Sequence, residues 1–196
     1  MPTVDLRPLE AADKDRILAW RNSDDVRPFM YTDHVISSEE HERWFAGLEG
    51  DERRRYWIIE LDGAPVGLAN LYDIDRPNQR CAWAYYLADP SVRGLGVGSY
   101  VEFWVLEFVF EGLKFAKLWC EVLVSNEAVW RLHESFGFVV EATFRSHVIK
   151  DGGPVDVLGL GLLAADWRAR RPAMGERLRV KGYEPPLLSR LLGQAE

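Results

Sequence analysis

The sequence predicts an α/β fold, a mixed and mostly antiparallel twisted sheet of about seven strands with helices on both faces. Three observations carry this. Strand-like and helix-like runs follow one another as strand, two helices, three strands, helix, strand, helix, two strands. Asp62-Gly63 and Asp151-Gly152-Gly153 stand between strand runs, as hairpin turns do. A glycine-rich stretch ending at Gly98 joins a strand to a long apolar helix.

Each element has a local reason. Val4-Asp5-Leu6-Arg7 alternates and meets Pro8, as a short strand does. Ala11 to Arg21 sets Ile17, Leu18 and Trp20 among charges and reads as a helix ending near Asn22-Ser23-Asp24. Ser37 before Glu39 and Glu40 starts a second helix. Its hydroxyl satisfies orphan amides, and the carboxylates suit the positive end of the dipole. This helix is expected to run through Trp44, Phe45 and Leu48 to Gly50. Tyr56 to Leu61, Pro65 to Ile74 and Gln79 to Ala88 form a meander, turned at Asp62-Gly63 and Arg76-Pro77-Asn78. A helix from about Ser99 to Gly112 follows, then a strand from Leu118 to Val124. Asn126 to Phe136 is a helix with Val129, Leu132 and Phe136 on one side. Phe138 to Val148 and Val155 to Leu163 are the last strands. After Trp167 the composition turns basic, Arg168-Ala169-Arg170-Arg171, and Pro172, Pro185 and Pro186 follow. Residues 1–167 are therefore read as one domain and 168–196 as a C-terminal extension.

A chain of 196 residues that is 47% hydrophobic and 28% charged supports one domain with a full core. A net charge of −7 argues against nucleic acid, which needs a basic face. It also argues against anionic membranes. A small anionic ligand stays open, because local cations can oppose the global sign. Cys81 and Cys120 show no CxxC spacing, so neither a disulfide framework nor a zinc site is expected. No basic segment followed by an apolar run opens the chain, and no apolar run is long enough to span a bilayer. A cytoplasmic protein is expected.

The stretch Asp89-Pro90-Ser91-Val92-Arg93-Gly94-Leu95-Gly96-Val97-Gly98-Ser99 carries the clearest chemistry. Glycines let backbone N–H groups turn inward, and a helix start adds partial positive charge. Together they suit a pyrophosphate. No lysine follows Gly98, which excludes the Walker pattern, and the GxGxG spacing departs from the dinucleotide fingerprint. The Arg93-x-x-Gly96-x-Gly98 spacing resembles the cofactor loop of the GNAT superfamily of N-acetyltransferases. Asn126 to Phe138, NEAVWRLHESFGF, resembles that superfamily's later motif. The resemblance covers about residues 3–165 and implies acetyl-CoA as donor, with no metal. It implies a pyrophosphate held by Val92, Arg93, Gly94, Gly96, Val97, Gly98 and Ser99. A pantetheine arm near Leu87 and Ala88 and a contact from Asn126 are implied as well. The superfamily's sheets splay in the middle, where the thioester enters.

Trp20-Arg21-Asn22, Val26-Arg27, Met30, Ile36-Ser37, His41, Trp44-Phe45 and Asp73-Ile74-Asp75 resemble one branch further, the PseH-type enzymes of pseudaminic acid biosynthesis. These acetylate the 4-amino group of a UDP-linked 4-amino-4,6-dideoxy sugar that feeds flagellin glycosylation. The resemblance implies that Arg21, Met30, Tyr31, His41, Trp44 and Asp73 meet this nucleotide-sugar acceptor. It implies direct transfer in a ternary complex.

His133 is the candidate general acid, because imidazole titrates near neutrality; many superfamily members have Tyr there. Glu121, a carboxylate in the apolar strand Leu118 to Leu123, is the candidate base, with His41 as the alternative. Trp83 and Tyr85 share one strand face and Tyr86 takes the other, so at most one set is expected to face ligands. Two rival readings stand beside the sugar enzyme. One is a RimJ/RimL-like protein N-terminal acetyltransferase, and the other is a non-catalytic acetyl-CoA-binding domain. Sequence leaves the oligomeric state open, a homodimer included.

Overall fold

The structure is a computed structural model and describes residues 2–186. Its strands are β1 (Val4–Pro8), β2 (Arg55–Leu61), β3 (Ala64–Asp75), β4 (Arg80–Leu87), β5 (Lys117–Leu123), β6 (Val139–Lys150) and β7 (Gly153–Leu163). They form one seven-stranded sheet in the order β1-β2-β3-β4-β5-β7-β6. All neighbours are antiparallel except β4 and β5. The expected α/β class and mixed sheet are what the chain forms. The helices are α1 (Lys14–Asn22), α2 (Ser38–Ala46), α3 (Val97–Glu107), α4 (Glu127–Phe136) and α5 (Ala164–Val180). None is long and apolar enough to cross a membrane among the described residues.

Strand alternation divides the core between two faces. Ile58 and Leu68 pack with Ile17, Trp20 and Trp44 of α1 and α2. Their neighbours Trp57, Ile59 and Ala69 pack on the other face with α3. Ser37 caps α2 as expected, accepting from the Glu40 amide. That helix stops at Ala46, short of Gly50. Gly47 follows as its C-cap, where a residue of poor helix propensity lets the chain turn.

Nine of the 11 residues of α3 are buried. A helix apolar on all sides needs cover on both its sheet face and its outer face. α5 is the outer cover. Trp167 is fully buried with its ring 5.1 Å from that of Phe103. Its indole N–H donates to Glu107, which Arg171 also engages. The division expected at 167–168 falls inside α5. The basic run is part of that helix, with Arg168 on Glu111 and Arg171 on Glu107.

One feature of the sheet sets the site. β4 and β5 pair only at Arg80–Lys117, Cys81–Leu118 and Ala82–Trp119. Beyond these pairs no ladder joins them, so Trp83 to Leu87 and Cys120 to Leu123 border a gap.

Candidate active site

A cavity of about 690 Å³ occupies this gap. Trp83, Tyr85 and His133 line it from one face of the sheet, and Ile17, Arg21 and Trp44 from the other. Trp83 and Tyr85 stack with ring centroids 5.4 Å apart. Tyr86 points oppositely, 6.3 Å from Trp20. All three aromatic side chains nonetheless line the cavity. Alternation allows only one set to face a site on an intact sheet; a split sheet exposes both.

His133 lies on α4 and is 3% exposed. Its Nδ1 is 2.9 Å from Oε1 of Glu102, which α3 buries completely. Burial opposes a charged imidazole here. The Glu102 carboxylate outweighs it, with Cys120 adding, and the ring titrates above its ordinary range. Burial raises Glu102 in turn, against the opposing effect of His133. The pair therefore holds a proton inside the protein at neutral pH. Glu102 escaped the sequence reading, although a lone carboxylate in the apolar run Val101-Glu102-Phe103-Trp104 marks it.

The opposite face carries Glu121. Alternation along β5 turns Cys120 toward His133 and Glu121 toward the α1–α2 connection. The Tyr31 hydroxyl donates to Glu121 at 2.6 Å. Burial, then this bond, raises the Tyr31 phenol well above its usual range, so it stays a donor. Met30, His41 and Trp44 all line the cavity. His41 stacks on Trp44 at 5.1 Å, and its Nε2 lies 2.7 Å from the Lys14 carbonyl. That nitrogen must donate, because a carbonyl only accepts. Asp73 sits at the irregularity between Tyr72 and Asp75, with φ 47, and faces Arg53 at 3.4 Å on the cavity rim.

Arg21 lies in the last turn of α1 and lines the same chamber. Its Nε is buried without a hydrogen-bond partner, and its terminal nitrogen reaches only the Thr32 hydroxyl at 3.4 Å. It forms no ion pair among the described residues. Burial lowers its pKa, with Tyr86, Tyr56 and Glu40 opposing.

The segment bearing Met30 and Tyr31 is held from a distance. Lys150, at the end of β6, is nearly buried; its ammonium donates to the Met30 carbonyl at 2.9 Å and meets Asp33 at 2.9 Å. It also reaches the carbonyls of Arg27 and Thr32. Nothing in the sequence pairs Lys150 with a segment so far away. Lys150→Met should destabilise the fold by about 1.5 kcal/mol or more, because several charge-assisted bonds are lost, read as a lower denaturant midpoint at unchanged m.

The glycine-rich loop lies beyond the cavity, at the C-terminal end of β4. Leu87 pairs with Gly67, and the Ala88 amide donates to Val66. Val92 is buried. Gly94 and Gly96 have φ of 80 and 90, which only glycine adopts without strain. Gly96 is the N-cap of α3 and has no side-chain cap, so the amides of Val97, Gly98 and Ser99 have no partner within the helix. A Cβ on Gly98 would stand 3.0 Å from the Tyr85 hydroxyl. This uncapped start fits a phosphate group. Asn126 is the N-cap of α4 and lines the cavity, also without a capping bond. The Arg93 side chain goes elsewhere: it is half-exposed and bound to Asp25 at 2.8 Å. No group of three or more His, Cys, Asp or Glu placed to hold a metal occurs among the described residues.

A split mixed sheet with an uncapped glycine-rich helix start beside the split defines a class of α/β protein that takes a phosphate-bearing ligand at that start. A family model described as an acetyltransferase (GNAT) domain matches residues 3–139. Acetyltransferase PseH of Campylobacter jejuni serotype O:23/36 (strain 81-176) is 27% identical over 132 residues, covering 67% of this chain and 80% of that protein. Spermidine N(1)-acetyltransferase of Escherichia coli (strain K12) is 22% identical over 176 residues, covering 90% of this chain and 94% of that protein. The crystal structure of spermidine N-acetyltransferase from Vibrio cholerae in complex with CoA and spermine superposes with a TM-score of 0.78 at 22% identity. It covers 84% of this chain and 98% of that one. The chain belongs to the GNAT acetyltransferase family. It is an acetyl-CoA-dependent N-acetyltransferase.

Proposed function

We propose that the acceptor is the 4-amino group of a UDP-linked 4-amino-4,6-dideoxy sugar, as in pseudaminic acid biosynthesis. Arg21 carries this reading. A guanidinium half-buried in the acceptor chamber, without an ion pair among the described residues, suits a diphosphate, which accepts two parallel bonds. A polyamine would set further cations beside it. Two carboxylates that line the chamber already have partners: Glu40 lies 2.9 Å from His34, and Asp73 faces Arg53. Met30, Tyr31, His41 and Trp44 offer apolar and aromatic faces for a uracil and a deoxysugar.

Acetyl-CoA supplies an activated thioester and a thiolate leaving group. Glu121, on the acceptor face, takes the proton from the attacking amine, directly or through a water. His133, on the opposite face, gives its proton to the departing sulfur. The uncapped start of α3, Gly96 to Ser99, holds the donor's pyrophosphate, and Asn126 steadies its arm. Acid and base thus flank the split in the sheet, and transfer is direct within a ternary complex.

Mass spectrometry of UDP-amino sugars with acetyl-CoA should show one added acetyl on the 4-amino sugar. Spermidine and N-terminal peptides should be poorer acceptors; a higher kcat/KM on either overturns the reading. Arg21→Met should raise the sugar-nucleotide KM about tenfold or more, since a charged bond contributes about 1.5–3 kcal/mol.

A further inference from the structure

The C-terminal extension reaches the cofactor loop. α5 ends at Val180, and the chain turns at Gly182, φ 85. The Tyr183 hydroxyl donates to the Leu95 carbonyl at 2.8 Å, and the ring is 2% exposed. The Lys181 stem covers Gly96, where a Cβ would come within 3.1 Å of its Cδ. Its ammonium donates to the Ser99 hydroxyl at 3.0 Å, in the first turn of α3. Lys181 and Tyr183 of the extension thus build onto Leu95 to Ser99.

Charge gives this arrangement its meaning. The chain carries a net −7, and most cations among the described residues pair with acids. Lys181 and Arg177, one helical turn apart, form no ion pair among the described residues. Arg177 donates only to the Ser135 hydroxyl, at 3.0 Å. Burial lowers the Lys181 pKa and Arg177 lowers it further, as expected of a cation whose neighbours are cationic or neutral. Meanwhile Arg93, the cation within the loop, is neutralised by Asp25. A partly buried, unneutralised ammonium beside three unpaired helix-start amides is a site for a doubly charged oxyanion.

We propose that Lys181 binds the pyrophosphate of acetyl-CoA, so that residues 181–183 form one wall of the donor's phosphate site. Lys181 moves its hydrogen bond from Ser99 to a phosphate oxygen when the donor binds. The extension is thereby part of donor recognition, whatever amine is acetylated.

Isothermal titration of the full chain with CoA tests this without an acceptor. Lys181→Met should weaken CoA binding about tenfold or more, the worth of one charge-assisted bond. Lys181→Arg should restore most of it. The loss should persist with dephospho-CoA, which keeps the pyrophosphate. Titration with acetyl-pantetheine, which lacks the pyrophosphate, should show none of this loss in Lys181→Met. Unchanged CoA affinity overturns the proposal, as does an equal loss with acetyl-pantetheine, which would mark a structural role. A loss that vanishes with dephospho-CoA overturns the pyrophosphate assignment. Lys181→Gln, which keeps a long polar stem, serves if the methionine variant folds poorly.

Discussion

His133→Ala lowers kcat by about 10²–10⁴-fold, the usual worth of a positioned general acid, and leaves acetyl-CoA affinity nearly unchanged. The expectation rests on a ring that lines the cavity while its Nδ1 is held by Glu102. Alanine also leaves Glu102 buried without its partner, which costs folding stability of about 3–5 kcal/mol. His133→Gln avoids that ambiguity, because an amide still donates to Glu102 but supplies no acidic proton. If kcat survives in the glutamine variant, the acid lies elsewhere. Glu102→Gln gives an independent reading. With the carboxylate gone, burial wins and the imidazole pKa falls. The protonated form is then lost at lower pH, so the alkaline limb of the kcat profile should move toward neutrality. A profile that stays in place would separate Glu102 from catalysis.

Trp167→Ala destabilises the fold by about 3–5 kcal/mol, the range for removing a fully buried large aromatic. Trp167 fills the space between Phe103 on α3 and Phe136 on α4, and its N–H is one of the bonds that satisfy Glu107. The variant loses a ring's worth of packing and leaves the buried Glu107 with Arg171. A denaturant midpoint that falls at constant m reads this directly. A shift below about 1 kcal/mol would mean that the site collapses to fill the space, and that α5 covers α3 only loosely.

Much of the fold was legible because its signals are local. The Asp62-Gly63 turn, the Ser37 cap and the glycines before α3 act over a few residues. The α2 end at Ala46 was missed, since Leu48 continues the apolar pattern while Gly47 breaks the helix. His133 and Glu121 follow from their chemistry and place in the pattern, and Arg21, Tyr31 and Trp44 from resemblance; all of them line one cavity. The partner of the loop's own cation was not legible, for a long-range reason. Arg93 is spent on Asp25, an acid far away in the chain. Glu102 lay in plain view as a carboxylate in an apolar helix. Lys150 and Lys181 did not, because a lysine at a strand or helix end is ordinary until its distant partner is known.

By itself the sequence determined the α/β class, the order of elements as far as β7, the glycine-bearing start of α3 and the family. These follow from periodicity, turn residues and backbone permissiveness, which act between near neighbours. Only the tertiary structure decided that both sheet faces open on one cavity, because pairing between β4 and β5 stops at Ala82 and Trp119. It alone coupled Glu102 to His133 and brought α5 over α3, with Lys181 at the cofactor loop. Such contacts depend on which surfaces meet, and no local propensity encodes that.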